Sequence, residues 1–264
     1  MAVYRISELY IYPVKSLGGI AVTSANVTRK GLEHDRRWML IDKENVFLTQ
    51  RIHTHMALFK MSHASTGFRV SFKGDHIDIP HTREGEPVRA RIWNDEVIVE
   101  EVSPAHSRWF SERIGIRCKL VAFPEENARP VDPKYRVGDD HVSLADGYPL
   151  LLLGQSTVDD LNRRLKIPVP MNRFRPSVVF TGGDAFDEDN WRNFTMGTAN
   201  FAGVKTCQRC VLITVDQETG VKGTEPLATL STYRRWGNGV HFGQNVIPTK
   251  LGKISIGDEI IVNN

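Results

Sequence analysis

Apolar and polar residues alternate along much of this 264-residue chain, the two-residue period of half-buried strands. The segments "ISELYIYPVKS" and "RRWMLIDKENVFLTQR" carry β-branched and aromatic runs that predict strands. "FRVSFKGDHIDI" predicts a hairpin turning at Lys73-Gly74-Asp75, and "EPVRARIWNDEVIVEEV" predicts another turning near Asn94-Asp95. The period then lengthens in "SPAHSRWFSERIG", where Ser103 is placed to cap a helix carrying Trp109, Phe110 and Ile114 at helical spacing.

From about 120 to 142, "LVAFPEENARPVDPKYRVGDDHV" mixes prolines with charges and predicts an irregular connection, the best candidate for a domain boundary. In "YPLLLLGQSTVDDLNRRL", Ser156 is expected to cap a second helix, with Asp159 in its first turn and Val158, Leu161 and Leu165 facing inward. "SVVFTGG", "FAGV" and "CVLITVD" predict strands, and "EPLATLSTYRR" predicts a short helix with Leu227, Leu230 and Tyr233 as its apolar stripe. The tail predicts a strand, a Gly-Asp turn and a final strand. The expected fold is α+β and β-rich: a smaller N-terminal β unit, residues 1–120, feeding a barrel-like domain over residues 121–264.

Composition narrows the function classes. With 34 basic against 31 acidic residues, the net charge of +3 is too weak to imply a nucleic-acid partner, although basic residues can still gather around a small anion. Three cysteines, with Cys118 far from the other two, do not form the disulfide framework of a small secreted domain, so a reducing compartment is expected. The N-terminal "MAVYRISELYIYPVKS" lacks a signal peptide's apolar core, and no apolar run approaches the roughly 18 residues of a membrane helix. A cytoplasmic protein without membrane association is the expectation.

The chemistry concentrates in "KTCQRCVLITVDQETG". A thioredoxin-like dithiol needs a helix N-terminus to lower one thiol's pKa, and the β-branched run after Cys210 argues for a strand instead. A structural zinc site wants four Cys or His ligands at paired spacings, and no second C-x-x-C is present. Two readings stay open. One cysteine at a strand start is a soft ligand or nucleophile, or both are small buried apolar groups.

Several further segments occur with it in a fixed order. They are "YPVKS", "GLEHDRRWML" with "LTQR", "SLADGYPLLLLGQST", "NRFRPSVVF", "EPLATLSTYRR" and "HFGQN" with "IGDEI". Together they resemble the MOSC family (molybdenum cofactor sulfurase C-terminal domain), preceded by a MOSC N-terminal β-barrel-like domain. Within that family they resemble the amidoxime-reducing components of mitochondria and bacteria. The resemblance runs over essentially the whole chain. It implies two β-barrel domains with a few short helices, and a molybdenum cofactor, a phosphate-tailed pterin whose dithiolene holds molybdenum. It also implies that Cys210 of "CQRC" is the metal ligand and that Cys207 packs behind it. The family's cofactor-binding positions fall on Lys15, Ser16, Arg36, Asp146, Gly147, Tyr148, Arg175, Gln208, Arg209 and Asn245, with Arg51 a further basic candidate. Arginine and lysine suit a phosphate-bearing ligand, and Asp146 is a candidate to orient or relay a proton.

The implied activity is reduction of small N-hydroxylated substrates such as amidoximes and hydroxylamines. The cofactor would carry the redox step and the protein would supply orientation and charge. No cysteine follows Cys210, so an iron–sulfur domain after the barrel is not expected. Electrons would come from a separate ferredoxin, flavodoxin or flavin reductase. The alternatives are a sulfur or cofactor carrier using a Cys210 persulfide, and a non-catalytic cofactor-binding barrel.

Overall fold

Seven strands close on themselves into a barrel. In order around it they are Leu150–Gly154, Val178–Thr181, Tyr4–Ile11, Glu259–Val262, Asn193–Met196, Ala199–Arg209 and Gly239–Lys250, which pairs back onto Leu150–Gly154. The computed structural model describes residues 3–81 and 85–263. The one parallel contact in the barrel, Leu150–Gly154 beside Val178–Thr181, needs a crossover, and the helix Gln155–Arg164 provides it. The Tyr4–Ile11 strand lies between Val178–Thr181 and Glu259–Val262, so the chain's N-terminal segment completes the barrel. Inside it, Ile6, Leu9, Phe180, Phe194, Phe201 and Ile260 are buried, and the same apolar cluster continues outward to Val14, Leu17, Phe59, Phe68 and Phe110.

Before the barrel's later strands the chain forms smaller antiparallel sheets. One orders Trp38–Ile41, Lys119–Ala122, Asp95–Glu101 and Pro87–Ile92; another orders Lys60–Ala64, Gly67–Phe72 and Asp75–Pro80. Both expected hairpins are present. Lys73 and Gly74 turn with φ of 49° and 86°, the positive pair that two-residue hairpin loops favour. In a third sheet, Ser24–Thr28 pairs with Gly31–Leu32 and with Gly252–Ser255 of the tail. Among the described residues there are three α-helices, and no helix is long and apolar enough to cross a membrane.

The helix Pro104–Ile114 starts where expected, with Ser103 Oγ accepting from His106 N at 3.3 Å. The second helix does not. It begins at Gln155, and the Ser156 hydroxyl donates to the Gly183 carbonyl at 3.1 Å instead of capping. Its N-terminus is received by a distant side chain. Glu188, fully buried, accepts from Gly154 N at 3.1 Å and from Thr157 Oγ1 at 2.9 Å. A carboxyl group at this end satisfies donors that the helix itself leaves open, a pairing that a local sequence pattern does not reveal.

Burial pushes the Glu188 carboxyl up to about 7, despite the hydrogen bonds it accepts. A raised folded-state value means that the folded protein keeps a proton between about pH 4.3 and 7 that the unfolded chain has released. The contribution is therefore complete below about pH 4.3 and is lost as pH rises through 7, by up to about 3 kcal/mol. Urea denaturation at pH 5 and pH 8 should show Glu188→Gln losing less stability between the two than the unsubstituted protein; equal losses would refute the assignment.

Candidate functional site

A cavity of about 270 Å³ opens at the barrel rim, where the N-terminal segments meet the ends of the C-terminal strands. Lys15 and Ser16 arrive just after the first strand, Arg36 just before Trp38–Ile41, and Arg51 from the turn that follows Leu48. The loop leading into Leu150–Gly154 brings Asp146, Gly147 and Tyr148, and Arg175 precedes Val178–Thr181. Gln208, Arg209 and Cys210 close the end of Ala199–Arg209, and Asn245 sits on the neighbouring strand opposite Lys205. Every residue singled out in the sequence lines this one cavity.

The local backbone is unusual there. Ser16, Arg36 and Arg175 have φ of 67°, 50° and 54°, a region where non-glycine residues are uncommon and which clusters at functional sites. Each is held from elsewhere. The Ser16 carbonyl accepts from Gln50 Nε2 at 2.8 Å, Arg36 N donates to the Tyr12 carbonyl at 2.9 Å, and the Arg175 carbonyl accepts from Arg36 Nη2 at 3.4 Å.

Two expectations about the cysteines are corrected. "VLIT" after Cys210 is not a strand but a single 3₁₀ turn, Val211–Thr214, with Cys210 as its N-cap. The sulfur therefore sits at a strand end, not a strand start. Its Sγ accepts from Leu212 N at 3.5 Å and from Arg51 Nε at 3.1 Å, two donors that fix the sulfur's position at the cavity. Nor does Cys207 pack behind it: Cys207 is half-buried and lines the cavity. Pairing with Gly239–Lys250 shifts register between Thr206 and Gln208, and this bulge disturbs the strand's alternation. Four consecutive residues, Cys207 to Cys210, thus all reach the cavity. Burial pushes the Cys207 thiol up, favouring its neutral form.

The wall is cationic around one carboxylate. Asp146 Oδ1 accepts from Lys15 Nζ at 2.5 Å and from Trp93 Nε1 at 3.1 Å, while Oδ2 accepts from Arg51 Nη2 at 2.7 Å. Enclosure by protein opposes its ionisation, but the Lys15 and Arg51 cations outweigh this and hold the carboxyl well below the usual carboxylate range. Burial acts oppositely on Lys15 and brings its ammonium down to about 8, even with Asp146 beside it. Arg129, which the sequence reading did not single out, anchors this loop by donating to the carbonyls of Ser143, Ala145 and Asp146 at 2.9, 2.6 and 3.2 Å.

Other cations have bonding capacity left over. Arg209 donates Nε to the Phe242 carbonyl and Nη1 to the Phe174 carbonyl, while its buried Nη2 has no partner among the described residues. Arg175 is 8% exposed, lies 4.3 Å from the Tyr12 ring, and makes no side-chain hydrogen bond among the described residues. Guanidinium donors held away from water without an acceptor are costly, so these two side chains invite an anionic, hydrogen-bond-accepting ligand. Lys205, Thr49 and Ser177 also line the cavity and were missed: Lys205 sits at a register shift in its strand, and isolated polar residues in connections, such as Thr49 and Ser177, carry no distinguishing pattern. Among the described residues no cluster of three or more His, Cys, Asp or Glu could hold a metal ion. A metal at Cys210 would thus need further ligands from its own cofactor.

With this geometry in place, comparison with known proteins gives the family. The MOSC N-terminal beta barrel domain matches residues 3–117 and the MOSC domain matches residues 139–261. Human mitochondrial amidoxime-reducing component 1 is 29% identical over 97% of this chain and 82% of its own length. Bovine mitochondrial amidoxime reducing component 2 is 28% identical over 97% and 82%. Molybdenum cofactor sulfurase of Oryza sativa subsp. japonica is 29% identical over 90% of this chain, which corresponds to 32% of that protein. The two matched domains together account for most of the chain, which belongs to the MOSC family.

Proposed function

We propose that this chain binds the molybdenum cofactor in the rim cavity and reduces N-hydroxylated compounds such as amidoximes and hydroxylamines. One observation carries the reading. The Cys210 sulfur, held by two N–H donors, faces a cavity whose Arg175 and Arg209 guanidiniums have donors without acceptors among the described residues. A soft sulfur ligand beside cationic donors that lack acceptors fits a group that pairs a metal with a phosphate tail. The names of the amidoxime-reducing relatives supply the substrate class.

Cys210 would ligate the metal, Arg175 and Arg209 would bind the anionic part of the cofactor, and Lys15, Ser16, Arg36 and Asn245 would complete its cradle. When bound, the cofactor supplies two-electron reduction at the metal. The balance is R–NH–OH with two electrons and two protons giving R–NH₂ and water, so the reaction needs an electron donor, which in this reading is a separate protein. The chain's own contribution begins with Arg51. Its Nε fixes the sulfur and its Nη2 fixes Asp146, so one guanidinium sets the spacing between ligand and carboxylate. Lys15 Nζ, with a pKa of about 8, can hold or release a proton near neutral pH while Asp146 stays ionised, which makes it the better proton store of the pair.

Two measurements test this. Protein produced in a cofactor-competent host should contain stoichiometric molybdenum, lost in Cys210→Ala and retained in Cys207→Ala. It should also reduce benzamidoxime with an artificial electron donor. Molybdenum-free protein from that host would refute the reading, and a persulfide on Cys210 would favour the carrier alternative. Independently, sulfate affinity of cofactor-free protein should fall roughly tenfold as pH rises through 8, because Lys15 loses its charge there and sulfate does not titrate. Lys15→Met should abolish that step; a step that persists would assign it to another group.

A further inference from the structure

Trp93 occupies a position that a two-residue hairpin loop ordinarily gives to asparagine or glycine. It opens the turn between Pro87–Ile92 and Asp95–Glu101 with φ of 56°, a conformation that a bulky side chain rarely adopts without a compensating contact. The contacts here all lead toward the cavity. The indole N–H donates to Asp146 Oδ1 at 3.1 Å, the ring centroid lies 4.2 Å from the Arg51 guanidinium carbon, and Phe47 packs edge-on at 4.8 Å. Arg51 is in turn bonded to the Cys210 sulfur, so one side chain separates the indole from the proposed metal ligand. The turn is also fixed from below, where Arg129 Nε donates to Asp95 Oδ2 at 2.7 Å. Yet 42% of Trp93 stays exposed, a large open aromatic surface at the rim of a polar cavity.

We propose that Trp93 determines substrate preference by stacking a planar aromatic ring at the rim, which directs an attached N–OH group inward toward Cys210. The inference rests on the reductase reading and adds to it a residue that favours ring-bearing over aliphatic substrates. Offset stacking on an indole favours a flat ring over an aliphatic chain of similar size. The polar end of Trp93 is already satisfied by Asp146 and its ring also meets Arg51 and Phe47, so the exposed part of the ring is what remains for a ligand. A small aliphatic amidoxime would enter without using the indole, so Trp93 sets the ratio between substrates and not the chemistry. Recognition and reaction would then come from different parts of the chain, the hairpin at 93–94 and the strand end at 207–210.

The test compares kcat/KM for benzamidoxime and acetamidoxime in cofactor-loaded protein, together with equilibrium binding of both compounds. Trp93→Leu should lower the benzamidoxime-to-acetamidoxime ratio about tenfold, mainly through KM, and the binding ratio should fall in parallel. Trp93→Phe keeps a ring but loses the N–H bond to Asp146, and should hold the ratio within about threefold. Equal losses on both substrates would overturn the proposal, as would a Phe variant that behaves like Leu; the indole would then only brace Asp146 and Arg51. If the unsubstituted enzyme reduces neither compound, the reductase reading fails while the binding ratio still decides the role of Trp93.

Discussion

One carboxylate holds the cavity together. Lys15, Arg36, Arg51, Arg175, Lys205 and Arg209 all reach it, and Asp146 is the only acid among the described residues that line it. Like charges gathered in a partly buried space repel one another, and the repulsion grows as water is excluded. Asp146 offsets this where crowding is worst, between Lys15 and Arg51. It also joins parts of the chain that are remote in sequence, since the same carboxylate binds Lys15, Arg51 and Trp93. The remaining positive charge is left for a ligand.

That arrangement depends on backbone conformations that packing must enforce. Positive φ at Ser16, Arg36 and Arg175 presents three polar side chains inward from tight corners. Glycine would relieve the backbone but remove the donors, so side chain and conformation are set against each other at each corner. A reciprocal amide pair supports the first. Gln50 binds the Ser16 carbonyl and exchanges hydrogen bonds with Gln217 at 3.4 and 3.2 Å, linking the turn that carries Arg51 to the segment after Cys210.

Much of the fold was legible because its signals are local. The Lys73-Gly74 hairpin, the Ser103 cap and the closing strands follow from alternation and turn chemistry within a few residues. The errors arise where distant partners decide. Ser156 lost its capping role to Glu188, which lies 32 residues farther along and arrives only through the fold. "VLIT" has strand composition, yet the cap at Cys210 and the loop that follows turn it into 3₁₀. That the site residues share one cavity was legible only through several ordered motifs together; no single charge announced itself. Cys207 and Lys205 escaped because a bulge, invisible in one sequence, sets which way the strand's side chains point. Arg129 escaped because its partners are backbone carbonyls, which leave no mark on the sequence around them.

The first strand has a consequence for how the molecule forms. Tyr4–Ile11 finds one barrel neighbour at Val178–Thr181 and the other at Glu259–Val262, more than 240 residues later. Its end can pair early with Ile20–Val22 and one side with Val178–Thr181, but the side that takes Glu259–Val262 stays open until almost the whole chain has been made. Such long-range closure is slow and exposes strand edges to wrong partners, which makes ordered assembly or chaperone protection valuable during biogenesis. The cavity inherits this timing, because its cations come from both sides of the closure. Any ligand of the cavity thus meets a chain that has already folded.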